Sequence, residues 1–142
     1  MATSNAATTY LENKILDFLF KNNSSSFATP GNSIYVGLAT AVSDAEAGSL
    51  TEATFGSYAR QQVTAANWTL ASSSADQQTI KNAANIEFPA STGTTNTVTH
   101  AFIVDAASSG NILFVGALDA SKTIATGDIF RINTNNLTIE LK

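Results

Sequence analysis

The chain has 142 residues, with seven basic and eleven acidic side chains, one histidine, no cysteine and a net charge of −4. That length fits one domain over residues 1–142 with a core large enough to fold without staples, and the absent cysteine excludes disulfides, zinc knuckles and thiol chemistry. The acidic balance argues against a nucleic-acid partner, because that binding rests on Lys and Arg neutralising phosphates.

The opening, Met1 to Thr9, is small and polar and carries no basic residue, so it lacks the basic n-region of a signal peptide. A helix is predicted over residues 9–21. Thr9 and Glu12 have the Thr-x-x-Glu spacing of a capping box. Leu11, Ile15, Phe18 and Leu19 recur at helical spacing, while Asn13, Lys14 and Asp17 face away. Leu16 and Phe20 form a second apolar edge that either meets a partner or is buried as well. Lys21 closes the last turn, and Asn22 or Asn23 suits the left-handed cap. A linker, Ser24-Ser25-Ser26, leads to the turn signal Pro30-Gly31.

Residues 33–142 read as a β-rich body. Ser33 to Thr40 alternates Ile34, Val36 and Leu38 with Tyr35, Gly37 and Ala39, the period-2 pattern of a strand. Val42 to Thr54 is acidic, contains Gly48 and reads as an exposed loop. Tyr58–Val63 and Trp68–Ala71 are predicted strands, and Ser72–Gln78 a polar turn. Asn85–Phe88 is a short strand stopped by Pro89, which cannot donate to a ladder. After a loop at Ser91–Asn96, Thr97–Asp105 is a strong strand with Val98, His100, Phe102 and Val104 assigned to one face. Ser108-Ser109-Gly110-Asn111 turns the chain into Ile112–Leu118, an apolar run expected to be fully buried. Thr126-Gly127-Asp128 is a turn and Ile129–Ile132 a strand. Leu137, Ile139 and Leu141 alternate with Thr138, Glu140 and Lys142 in a half-buried strand. About eight short strands predict a mainly β fold, an antiparallel β-sandwich or open barrel with one N-terminal α-helix. The longest apolar stretches fall far short of the ~20 residues of a membrane helix, so no membrane partner is expected.

The residues for catalysis are few. His100 lies on a strand between Val98 and Phe102 and reads as a core or interface histidine rather than a base. Ser57 sits in Phe55-Gly56-Ser57-Tyr58, which is not a Gly-x-Ser-x-Gly elbow. Asp44, Glu46 and Glu52 lie in a polar segment without the spacing of a calcium loop, and Asp105, Asp119 and Asp128 adjoin turns. No phosphate-binding or dinucleotide-binding glycine pattern occurs. No catalytic, cofactor-binding or metal site is predicted, and the expectation is that the chain is not an enzyme. Sugar binding through the aromatics Trp68, Tyr35 and Tyr58 is a rival reading.

Several stretches carry a resemblance. They are Tyr10-Leu11-Glu12-Asn13-Lys14-Ile15-Leu16-Asp17, Ile34-Tyr35-Val36-Gly37-Leu38-Ala39-Thr40, Gly56-Ser57-Tyr58-Ala59-Arg60-Gln61 and Asn82-Ala83-Ala84-Asn85-Ile86-Glu87-Phe88-Pro89. Val98-Thr99-His100-Ala101-Phe102-Ile103-Val104-Asp105 and Gly110-Asn111-Ile112-Leu113-Phe114-Val115-Gly116-Ala117-Leu118 continue it in order. Together they resemble a family of small tailed-bacteriophage virion proteins commonly labelled "tail fiber protein", some of which serve as capsid cement, or decoration, proteins. The resemblance implies a structural protein on the virion capsid surface, assembled in the host cytoplasm. Its expected partners are the major capsid protein and further copies of itself, a dimer being favoured and a trimer open. A tail-fibre or baseplate component contacting the host is the alternative. Charged residues make up only 13 % of the chain, against a usual share of about a quarter, so copies crowded on a particle repel one another weakly. Leu16, Phe18, Phe20, Tyr35, Arg60 and Trp68 are the candidate interface residues, and Arg60 is also placed to anchor the acidic segment through Glu52 or Glu46.

Overall fold

The structure, a computed structural model, describes residues 5–23, 34–70 and 78–141. In chain order the elements are β1 (Ala6–Ala7), α1 (Thr9–Phe20), β2 (Tyr35–Asp44), β3 (Ser49–Glu52), β4 (Gln61–Gln62), a 3-10 turn (Ala65–Asn67) and β5 (Trp68–Leu70). They continue with β6 (Gln78–Asn82), β7 (Ile86–Glu87), β8 (Asn96–Val104), β9 (Ile112–Ile124), β10 (Arg131–Ile132) and β11 (Thr138–Leu141). The fold is mainly β with one helix. Its principal sheet is an antiparallel half-barrel in the order β1-β9-β8-β2-β3, with β4 also on β2. β11, β6 and β5 form a second sheet, and β10 pairs with β7. Among the described residues there are eleven strands rather than about eight, because pairs as short as Ala6–Ala7 and Gln61–Gln62 leave no periodicity to read.

Both faces of the central strands are covered. Val36, Leu38, Phe55, Phe88, Val98 and Ile103 belong to the larger core, which the second sheet joins through Trp68, Leu137 and Ile139. Ala39, Phe102, Val104 and Val115 form a smaller core on the other face, together with Ala45 from the β2–β3 turn. The alternation expected for residues 34–39 therefore holds, but the Tyr35–Gly37–Ala39 side is also inside.

Four expectations for the strands' places and faces change. Val42–Thr54 is not an exposed loop but the end of β2, a turn at Ala45–Gly48 and β3. Gly48 takes a φ of +65°, the Gly48 N–H donates to the Ala45 carbonyl, and the small side chains hid the strand period. In β8, Val98 shares a core with Ala101 and Ile103, while Phe102 and Val104 face the other way. A bulge causes this switch. Val98 pairs with Lys122 but His100 with Ala117, so residues 118–121 of β9 stand against Thr99 alone. Ile112–Leu118 is not fully buried. Only Val115 is, since among the described residues the outer flank of β9 pairs with nothing longer than Ala6 and Ala7 of β1, with Thr8 and Asn5 bonding on either side. Of the predicted strand Tyr58–Val63, only Gln61–Gln62 pairs, after a left-handed Ser57 with φ +68°. The linker Ser24–Ser26, the Pro30-Gly31 turn and residues 72–77 lie outside the described residues.

The helix starts one residue earlier than its sequence signal suggests. Thr8, not Thr9, is the N-cap, with an extended backbone that finishes β1. Its Oγ1 accepts from Leu11 N at 3.3 Å and donates to the Ile112 carbonyl at 2.6 Å, so one buried hydroxyl caps α1 and ties it to β9. Glu12 consequently stands beyond the capping-box position. Asn22 takes the left-handed position after the helix, with φ +54°. Leu11 is buried and Ile15 half-buried, but Phe18 and Leu19 are exposed, because only the first turns of α1 rest on the body.

Gly37 has a stringent packing role. Its register partner is Phe102, and a Cβ on Gly37 would fall 2.3 Å from that ring's Cζ. The ring lies over the bare backbone, so Gly37→Ala must displace it. The expected loss is about 2 kcal/mol of stability, typical of overpacking, read from urea unfolding midpoints. A neutral Gly37→Ala would show that the ring has room to move.

Candidate functional site

The densest polar constellation is built around Arg60, in the segment entering β4. Its Nε and Nη2 donate to the two oxygens of Glu52 at the end of β3, both at 2.8 Å. Nη1 donates to the carbonyls of Ala106, at 3.0 Å, and Ser109, at 2.6 Å. The guanidinium carbon lies 5.4 Å from the centroid of Phe102, over the ring that covers Gly37. Tyr58 Oη donates to Glu52 at 2.8 Å and accepts from the Leu38 N–H at 3.0 Å. One bidentate ion pair thus joins β2, β3, the approach to β4 and the β8–β9 turn.

The electrostatics follow from that geometry. Burial pushes the Glu52 carboxyl up, but hydrogen bonds from Arg60 and Tyr58 and the Arg60 charge outweigh it and hold the group below its ordinary range. Burial pushes the Tyr58 hydroxyl up, and the Glu52 charge adds to the effect. The Glu52 hydrogen bond raises Arg60 against the opposing effect of burial. In the adjoining turn Ser109 and Gly110 are left-handed, and the Asp105 carboxylate accepts from Asn111 N at 2.7 Å and Asn111 Nδ2 at 3.0 Å. Four N–H groups of the guanidinium are engaged within the chain, so this cluster acts as a cross-link.

Of the two acidic partners proposed for Arg60, Glu52 takes the role; Glu46 instead offers its backbone carbonyl to Thr9 N at the start of α1, at 2.8 Å. Tyr58 stacks on Phe88 at 6.1 Å and meets Phe55 edge-on at 5.2 Å, which places its ring in the core. Trp68 is half-buried against the larger core and donates its indole N–H to the Val63 carbonyl at 3.3 Å. Tyr35 is half-buried against the smaller core. The three aromatics do not assemble into one exposed platform. His100 is half-buried, with Nδ1 2.7 Å from Thr99 Oγ1 and Ala39 and Ala117 as its register partners. Among the described residues no group of three or more His, Asp or Glu is placed to hold a metal ion.

Three features escaped the sequence. Asn82 is fully buried and links the second sheet to two loops; its Nδ2 donates to the carbonyls of Ala84 and Asn133 and its Oδ1 accepts from Leu137 N. Leu19, assigned to the buried stripe, stands exposed beside Leu16 and Phe20 at the C-terminal end of α1. An open groove of about 800 Å³ runs between β9 and the β10–β11 segment, a volume typical of ligand clefts. Its lining mixes Phe114, Leu118, Phe130 and Ile139 with amide side chains and with charged ones such as Lys122 and Arg131, and comes from chain stretches too far apart to be recognised together. The exposed Leu19 had a signal, the Leu16-Phe20 edge, whereas the groove had none.

A family model described as "Podophage GP4 fiber I protein gp80" matches residues 6–140. No curated protein matches the chain.

Proposed function

The chain belongs to the Podophage GP4 fiber I protein gp80 family, a bacteriophage virion family with a fibre label, and on that premise we propose that it is a non-catalytic cement subunit bound to the outer face of the major capsid protein shell. The observation that supports its coarser part, a phage structural protein, is the extent of the family match. It runs from β1 through β11, so the structural family accounts for the entire described fold. The Arg60 cross-link supports it, since the densest polar cluster is spent on holding four segments together. Low charge lets copies sit close. Many modest contacts repeated by symmetry give high avidity, and each need bury only on the order of 800 Å² per partner.

The printed word "fiber" favours a second reading, a tail-fibre or baseplate module facing the host. A shaft is built from repeats, however, and this sequence has none. The two readings separate in a copy count by quantitative mass spectrometry on purified virions. Cementing the shell requires hundreds of copies that remain with tail-less heads. A handful of copies that follow the tail would overturn the capsid reading.

A further inference from the structure

We draw no further inference here: the strongest candidate, the open groove between β9 and the β10–β11 segment, mixes Phe114, Phe130 and Ile139 with Lys122, Arg131 and Glu140, and nothing in the structure shows what covers it.

Discussion

Arg60→Ala is expected to lower stability by about 3 kcal/mol and Tm by about 10 °C, measured by calorimetry at pH 7. The Arg60 side chain is 10 % exposed and Glu52 30 % exposed, so the pair sits between a buried bridge and a surface one. Removing one partner of a buried pair costs more than the pair contributes, because the other charge is left desolvated. Here the deletion strands the Glu52 carboxylate and frees the Ala106 and Ser109 carbonyls, and it uncovers the Phe102 ring. Arg60→Lys keeps the charge but not the fork, so it should recover less than half of the loss. The pH dependence has a definite sign. The Glu52 carboxyl is held below its ordinary value, so its contribution is fully present above about pH 4.3 and is lost as pH falls through the lowered folded value. Without Arg60 the opposing burial is unrelieved. The gap between wild type and Arg60→Ala should therefore narrow as the pH falls below about 5, leaving the part that comes from the two carbonyls and the Phe102 ring. A gap that stays constant over that range would mean that the loss comes from packing rather than from the ion pair.

How much of this was legible depended on how local the cause was. The mainly β class, the helix and the turns at Ser109-Gly110 and Gly127 follow from periodicity and from residues that tolerate left-handed backbone, all within a few positions. The face assignment in β8 failed because the bulge at Thr99 is set by the partner strand, where four residues of β9 meet one. The β2–β3 hairpin failed because Ala, Ser and Gly carry too weak a hydrophobic contrast to show period 2, although their small size lets the turn fold onto Phe102 and Val104. Arg60 could be matched with Glu52 from charge alone, but not with the Ala106 and Ser109 carbonyls, which are more than forty residues away. The exposed end of α1 was half visible. Leu16 and Phe20 stood out as a second apolar edge, yet whether an apolar stripe is covered depends on where the body ends. Among the described residues it ends after the first turns of the helix.

Asn82→Asp is expected to lose about 4 kcal/mol at pH 7, more than the ~3 kcal/mol of Asn82→Ala, although it changes the shape hardly at all. Asn82 is 0 % exposed. Its Nδ2 points at two carbonyl oxygens, of Ala84 at 2.8 Å and Asn133 at 2.9 Å, while Oδ1 takes the Leu137 N–H at 2.9 Å. Its backbone adds bonds to Leu137 and Asn135, so the residue joins β6 to the chain entering β11. Alanine leaves two acceptors and one donor without partners. Aspartate keeps the Leu137 bond but turns the donor side into a buried anion facing two carbonyls. Desolvation and that repulsion raise the folded-state pKa of the new carboxyl above its unfolded value of about 3.9. Between those two values the folded state binds the extra proton, so stability rises as the pH falls. The protonated group can donate to one of the two carbonyls. Urea unfolding at pH 7 and pH 4.5 should show Asn82→Asp regaining stability at the lower pH, while Asn82→Ala stays as far below wild type at both. Parallel losses for the two variants at both pH values would show that the amide acts by shape and not by its donors.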